Sequence, residues 1–171
     1  MLKLAKAFWD IALWRRTPAQ LPASLLLLVL VSAAAALIEV VSALLPPVSS
    51  DRILTRIALS VGLPLAFCWA VLYVARRRQR FLQTGVALLG VGVLAELALY
   101  PMQSLIHVIG SDSLASAPLG FLMLIGLIWY LLACANIWRV ALDSGIGVGI
   151  AVSVSYLLLS ILLELQALPK S

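Results

Sequence analysis

Residues 76–110 read RRRQRFLQTGVALLGVGVLAELALYPMQSLIHVIG, and this stretch decides the fold. Four arginines precede a long, mostly apolar segment from Phe81 to Ile109. A helix crosses the hydrocarbon core of a bilayer with about 20 apolar residues. The segment is longer than that, so it predicts a membrane-spanning helix that tilts, kinks or protrudes. Pro101 lies within it and marks the position where a kink is expected.

The composition extends this interpretation to the whole chain. The chain has 171 residues, of which 64% are hydrophobic and 11% are charged. Soluble domains are about 45–50% apolar and about 25% charged. A soluble fold of this size could not bury so much apolar surface, so the solvent of this protein must be lipid. The length leaves room for five spans with short connections, but not for a separate soluble domain.

Residues 1–16 precede the first span and combine apolar and charged side chains. Leu4, Phe8 and Ile11 recur at helical spacing, and charged residues are interleaved with them. This pattern is typical of an amphipathic helix that lies in the membrane interface with its apolar face toward the lipid. A signal peptide is disfavoured, because Asp10 interrupts the apolar run and no small-residue cleavage site follows. The helix could serve as a membrane anchor or as a docking surface for a partner.

Prolines and short polar connections divide the remainder into five apolar segments. A turn with Pro18 and Pro22 ends the N-terminal helix, since each proline removes a backbone donor. Pro64 is expected to kink the second span. We therefore predict an all-α integral membrane protein with a single domain, a bundle of five transmembrane helices preceded by an amphipathic interfacial helix. The interfacial helix covers residues 1–16, and the spans cover about 23–45, 53–74, 81–109, 114–138 and 145–168.

The basic residues are concentrated on one side of the predicted bundle. Cytoplasmic connections of membrane proteins carry an excess of lysine and arginine. If the N-terminus is cytoplasmic, nine basic residues lie on the inner side and three on the outer side. The inner set is Lys3, Lys6, Arg15, Arg16, Arg76, Arg77, Arg78, Arg80 and Arg139, and the outer set is Arg52, Arg56 and Lys170. Five spans then place the C-terminus across the membrane, and the basic side faces anionic lipid headgroups.

Ionisable groups within the apolar segments are the main candidates for a functional site. Each costs at least about 2.5–3.5 kcal/mol at the centre of a span, so it normally faces protein or water. The helical rise places Glu39, Glu96 and Glu164 roughly 24, 22 and 28 Å from the inner starts of their spans. Arg56 enters the second span from the outer side by about one turn. All four groups therefore fall in the outer half of the membrane.

Helical spacing brings these groups to common faces of the spans. On the third span, Glu96 and Tyr100 begin a stripe that continues at helical intervals to the end of the segment. Similar stripes on spans one, two and five indicate that these four spans meet through their polar faces, and span three is predicted to be the central helix of the bundle. The predicted polar pocket in the outer half of the bundle is lined by Glu39, Arg56, Glu96, Tyr100, Gln103, His107, Tyr156 and Glu164.

The sequence leaves three interpretations of these groups open. They could form an ion-pair and hydrogen-bond network that locks the bundle, in which Arg56 pairs with Glu39 or Glu96. They could instead form an outward-facing site for a cationic or amphipathic ligand, or for protons. Glu164 and His107 could also simply reach water at the outer interface.

The chemistry of soluble enzymes is mostly absent from the sequence. The chain has a single histidine, so a histidine-rich metal site cannot form, and neither a P-loop nor an H-E-x-x-H motif occurs. The glycine-rich run GIGVG at 145–149 opens a span, which indicates close helix packing rather than a phosphate-binding loop. Cys68 and Cys134 lie inside apolar segments and are expected to be small buried hydrophobic residues. We expect no enzymatic activity, no metal or other cofactor, and no nucleic-acid partner.

Three patches of sequence carry a family resemblance. They are RRTPAQLPAS at 15–24, RFLQTGVALLGVGVL at 80–94 and NIWRVAL at 136–142. Together with the layout of the chain, they are similar to the Yip1-like superfamily, in particular its small bacterial members. The resemblance implies five spans in a bacterial inner membrane, with a cytoplasmic N-terminus and a periplasmic C-terminus. Eukaryotic members are associated with vesicle trafficking and small-GTPase partners, but the sequence lacks their characteristic cytoplasmic region, so that role is not expected.

Two functions follow from these features as expectations. The first is an accessory or scaffold subunit that acts through helix–helix association, with membrane lipids and either a membrane-protein partner or a second copy of the chain as partners. The alternative is a transporter or lipid-handling protein with an outward-facing polar pocket formed by Glu39, Arg56 and Glu96. A membrane enzyme that acts on lipid is the least favoured interpretation.

Overall fold

The computed structural model describes residues 2–15, 21–42, 50–110 and 116–167, except for the side chains of residues 2–5, 50–52, 107 and 167. Residues 1, 16–20, 43–49, 111–115 and 168–171 lie outside the described residues, and with them lie parts of the predicted turns and the predicted ends of spans one, four and five. In the described ranges the chain is helical and contains no strand. The helices are α1 (Leu2–Ala12), α2 (Leu25–Ser42), α3 (Ser50–Ile57), α4 (Leu63–Val74), α5 (Phe81–Ile109), α6 (Ser116–Leu142) and α7 (Ile146–Ala167).

In this part of the chain, five helical segments are long and apolar enough to cross a membrane. The prediction of an all-helical chain with five candidate spans is therefore confirmed. The segments are Leu25–Ser42, Ile53–Val74, Arg78–Ile106, Ser116–Leu142 and Ile146–Gln166.

The second of these segments is continuous but changes its hydrogen-bonding pattern halfway. A π-helical turn at Ala58–Gly62 connects α3 to α4. Pro64 follows directly, and because proline has no N–H to donate, it frees the carbonyl of Ser60. A local π turn is one way in which a membrane helix accommodates such a freed group. Where the sequence predicted a kink at Pro64, the structure has this π turn.

Helix α5 lies at the centre of the bundle. It packs against α1, α2, α4 and α6. Half of the residues in its most apolar stretch are buried inside the structure, compared with 11–22% for the corresponding stretches of the other four candidate spans. The prediction that this span is the central helix is confirmed. A kink was predicted at Pro101, but this residue does not interrupt α5, which continues as one helix to Ile109.

Two arginines fasten one end of the bundle. The guanidinium Nη1 of Arg80 donates to the carbonyl oxygens of Val140 at 2.7 Å and Ala141 at 3.1 Å. Arg77 Nη1 lies 3.4 Å from the Asp143 carboxylate. Arg80, which directly precedes α5, is thereby bonded to carbonyl groups in the last turn of α6, and the Arg77–Asp143 contact lies at the same end. We call this end of the bundle the arginine end.

The buried residues of the five spans cluster in the half of the bundle near the arginine end, which we call the packed half. In the described part of the chain, α6 has none before residue 133 and α7 has none after residue 153. We call the opposite end, where Glu39, Arg56 and Glu164 lie, the carboxylate end. The buried positions are 27, 28, 31 and 35 in α2, 68 and 72 in α4, 84–91 and 95 in α5, 133–138 and 141 in α6, and 149 and 153 in α7.

A close backbone approach holds α7 against α6 in the packed half. A Cβ added at Gly149 would overlap the carbonyl oxygen of Ala135. Small residues permit such approaches between membrane helices, and here only glycine fits.

Helix α1 packs on the bundle through the face that the sequence assigned to lipid. Phe8 is 7% exposed, and Ile11 and Ala12 are each 1% exposed. The helix contacts α5 and α6, and a Cβ at Gly90 of α5 would overlap the Phe8 ring. The glycine thus provides the space that lets the apolar face of α1 turn toward protein. Trp9 and Trp14 remain about half exposed.

Candidate functional site

A cavity of about 560 Å³ lies inside the bundle toward the carboxylate end. Its wall is built from α2, the continuous helix of α3 and α4, α5, α6 and α7. Along α5 the lining extends from Leu88 to Ser104, which corresponds to roughly 24 Å along the helix axis. The volume falls within the range of about 300–1,000 Å³ that is usual for ligand sites. The cavity is therefore a deep cleft along the bundle, and we call it the polar cavity.

The polar cavity brings together seven of the eight residues from which the sequence predicted a pocket. They come from four different helices, so no local sequence feature alone would join them. The side chain of His107 lies outside the described residues. The seven lining residues are Glu39, Arg56, Glu96, Tyr100, Gln103, Tyr156 and Glu164.

The polar cavity reaches the surface at the carboxylate end and closes toward the arginine end. Gln103 and Glu164 line it and are exposed. Trp138 and Ser153 line its inner part and are each only 2% exposed. A ligand would therefore enter from the carboxylate end.

Aromatic rings form much of the inner wall. The ring of Phe67 lies 5.9 Å from that of Trp138, in an edge-to-face arrangement, and 5.4 Å from that of Tyr156. Tyr130 lines the same cavity. Aromatic rings combine apolar surface with a negative face, and they attract organic cations for that reason.

Negative groups outnumber positive ones in the wall. Three glutamates line the polar cavity together with one arginine, Arg56. Glu39 is within electrostatic range of Arg56 and of Glu164, and Glu96 is within range of Glu39. For the described side chains, no direct ion pair joins Arg56 to any of the three carboxylates. The ion-pair lock that the sequence allowed is therefore not formed by direct contacts.

Two polar atoms in the cavity wall have no hydrogen-bond partner among the described residues. They are Oε2 of Glu96 and Oγ of Ser153, and both are buried. A buried polar atom without a partner costs about 1–3 kcal/mol. Such atoms in the wall of a cleft can be satisfied by a ligand or by water.

Sequence reasoning missed the contribution of α6. Spans one, two, three and five were predicted to meet through polar faces, but α6 also lines the polar cavity with Tyr130, Cys134 and Trp138. These residues follow i, i+4 and i+8, so they form one stripe on the helix. The stripe is mostly aromatic, and a search restricted to charged and amide groups does not reveal it.

The side chains of the polar cavity favour binding of an organic cation rather than a metal ion. In the ranges that the structure describes, no group of three or more His, Cys, Asp or Glu side chains is arranged to hold a metal ion. The three carboxylates come from three different helices, α2, α5 and α7. Carboxylates beside aromatic rings suit an organic cation with apolar groups.

No family model, no curated protein and no solved structure matches this chain. The functional argument therefore rests on the residues of the polar cavity and on their surroundings.

Proposed function

We propose that this is an integral membrane protein that binds a cationic, partly apolar ligand in the polar cavity, as a transporter or lipid-handling protein. The observation that carries the proposal is the buried, unpartnered Oε2 of Glu96 in a cleft where carboxylates outnumber arginine. An isolated carboxylate inside a membrane is costly, and proteins keep such groups mainly where a substrate or ion pathway needs them.

The membrane setting forms part of the proposal. The five long apolar helices cross a bacterial inner membrane, and the arginine end lies in the cytoplasm because it carries Arg77, Arg78, Arg80 and Arg139. The polar cavity then opens toward the periplasm. A Yip1-like layout, with a cytoplasmic N-terminus and a periplasmic C-terminus, agrees with this orientation.

The wall of the polar cavity indicates how such a ligand would be held. The positive group lies near Glu39 and Glu96, where it offsets the desolvation of the two carboxylates. The apolar groups lie on the rings of Phe67, Trp138 and Tyr156 deeper in the cleft. Arg56 limits the negative charge and orients Glu39 by electrostatic attraction.

Ligand binding can be tested with tetraphenylphosphonium, an apolar organic cation. The purified protein in mild detergent is titrated while the thermal unfolding midpoint and the tryptophan fluorescence are followed, since Trp138 lines the polar cavity. We expect binding by the wild type and a loss of about tenfold or more in affinity for Glu96→Gln, the effect of one lost charged contact. Asp143→Asn is the matched control, because it removes a carboxylate at the arginine end.

The same experiment separates the alternative interpretations. If Glu39→Gln and Glu96→Gln both fold and bind the cation as the wild type does, the polar cavity is not its site. If both variants fail to fold, the carboxylates serve the architecture. If the wild type binds the cation as expected, counterflow of the cation in proteoliposomes distinguishes a transporter from a protein that only binds.

An accessory or scaffold subunit that acts through helix–helix association is the second candidate. Its support is the large apolar surface that α6 leaves uncovered, including Phe121 and Ile128, which are at least half exposed. Lipid alone could cover this surface, so the distinguishing observation is a stoichiometric protein. Native purification in mild detergent with identification of the co-purifying proteins tests it, and recovery of lipid alone would exclude this candidate.

A further inference from the structure

A second, smaller cavity lies at the arginine end, separate from the polar cavity. Its volume is about 360 Å³, and its wall includes Arg80, Gln83, Arg139 and Ser144. It lies where α5 begins and α6 ends. We propose that this cavity binds a phosphate group, either the headgroup of an anionic membrane lipid or free inorganic phosphate. We call it the phosphate pocket.

Arg80 and Arg139 supply the charge that this ligand requires. Arg80 uses Nη1 for the carbonyl oxygens of Val140 and Ala141. A guanidinium has five N–H donors, so Nη2 and Nε remain for a ligand. Arg139 is exposed, and its Cζ lies 6.0 Å from the centre of the Trp14 ring. Arginine pairs with phosphate through parallel hydrogen bonds, which makes two arginines in one cavity a fitting pair for it.

A buried hydroxyl supports the same ligand independently. The Oγ of Ser144 lines the phosphate pocket, is buried and has no partner among the described residues. A buried hydroxyl without a partner is costly, and a phosphate oxygen would accept its hydrogen bond. The donors offered by Arg80, Arg139 and Ser144 are complementary to a ligand that carries only acceptors at this position.

One acidic residue also lines the phosphate pocket, but its charge is offset. Asp143 lies 3.4 Å from Arg77 Nη1, and its side chain is 68% exposed. The carboxylate is therefore attracted to a third arginine and can remain hydrated. The balance of charge around the phosphate pocket stays positive.

The position of the phosphate pocket agrees with a lipid headgroup as one source of the phosphate. Basic pockets between transmembrane helices on the cytoplasmic side bind anionic headgroups. Trp14, next to Arg139, is about half exposed, and tryptophan is frequent at the level of lipid headgroups. This source requires that the helices span the membrane as proposed above, whereas binding of free phosphate does not.

Native mass spectrometry in mild detergent tests the proposal with two ligands. The protein is mixed with phosphatidylglycerol and phosphatidylcholine in equal amounts, and in a separate experiment the unfolding midpoint is measured with inorganic phosphate. The variant is Arg139→Gln, since no other side chain depends on Arg139 through a hydrogen bond among the described residues. The control is Arg76→Gln, which removes an exposed arginine at the same end but outside the phosphate pocket.

We expect Arg139→Gln to reduce preferential retention of phosphatidylglycerol by about tenfold and Arg76→Gln to leave it near the wild-type value. Arg139→Lys should show an intermediate loss, because it keeps the charge but not the paired donors. If the lipid preference is absent but phosphate raises the midpoint in an Arg139-dependent way, free phosphate is the ligand. Equal effects of the Arg76 and Arg139 variants, or no effect of either ligand, would overturn the proposal.

Discussion

The arginine end and the carboxylate end of this bundle are built from the same apolar helices, but they differ in how closely these helices pack. At the arginine end, α6 and α7 approach through Gly149 and Ala135, and Arg80 caps the end of α6. At the carboxylate end, the helices separate around the polar cavity, and Glu96 keeps a buried oxygen without a partner.

The difference shows where the bundle obtains its stability and where its function lies. Close packing and interhelical hydrogen bonds such as those of Arg80 stabilise a bundle of membrane-spanning helices, because lipid provides no hydrophobic driving force between helices. A cleft that holds the unpartnered oxygen of Glu96 contributes less of this kind and must be supported from elsewhere. Functional sites frequently violate local rules in this way and rely on the remaining fold.

The largest expected effect comes from a side chain that blocks the close contact between α6 and α7. Gly149→Leu should abolish folded, monodisperse protein, because even the first carbon of the new side chain overlaps the Ala135 carbonyl oxygen. Gly147→Leu is the matched control on the same helix, since a Cβ there meets no atom within 4 Å. Yield and size-exclusion profile in detergent measure the difference, and similar behaviour of the two variants would contradict this packing.

A second pair of substitutions separates the two regions along α5. Gly90→Leu should displace Phe8 and destabilise the protein by about 1–3 kcal/mol, the usual cost of overpacking. Gly92→Leu instead fills the polar cavity, so it should retain most of the stability and lose cation binding. Thermal unfolding together with tetraphenylphosphonium titration tests the pair. If Gly92→Leu binds the cation normally, the position of the site is wrong.

A smaller effect is expected from the cap on α6. Arg80→Gln removes the charged hydrogen bonds to Val140 and Ala141 and should cost about 1–2 kcal/mol. This corresponds to a fall of about 2–8 °C in the unfolding midpoint. Arg76→Gln should change the midpoint little, because Arg76 is exposed. Equal midpoints for the two variants would show that the cap contributes nothing.

The smallest change, with the opposite sign, is expected at the carboxylate end. Glu96→Gln removes a carboxylate of which one buried oxygen has no partner in the described chain, so stability should stay the same or rise by up to about 1 kcal/mol. Cation affinity should fall in the same protein. A marked loss of stability would assign Glu96 to the architecture of the bundle.

Much of the fold could be predicted from the sequence because long apolar segments that can cross a membrane have few alternatives to the helix. Long apolar runs between prolines and charged turns defined five candidate spans, and the length of the third span and its stripe of polar and small residues indicated the central helix. The polar residues now found around one cavity could be placed by depth along each helix and by helical face. Both arguments need only the fixed geometry of an α-helix.

Other features depended on contacts that no helical pattern specifies. The Phe8 ring occupies the space that the missing side chain of Gly90 leaves, so α1 packs on the bundle, although its amphipathic pattern suited lipid equally well. The π turn before Pro64 is one of several ways to accommodate a proline. The role of α6 in the polar cavity depends on its rotation about its own axis, which packing determines and hydropathy does not.

Cysteine accessibility tests the central claim most directly, namely that water reaches into the bundle from the carboxylate end alone. Single cysteines replace Ser160 in the polar cavity, Ser155 on the exposed face of α7 and Ala133 in the packed half, in a background with Cys68 and Cys134 changed to alanine. Labelling by a membrane-impermeant maleimide is measured in intact membranes. We expect Ser160→Cys to react, and Ser155→Cys and Ala133→Cys to remain unlabelled, because in the proposed membrane setting lipid covers the first of these two and protein covers the second. Equal protection of all three cysteines, or labelling at Ala133→Cys, would contradict the account.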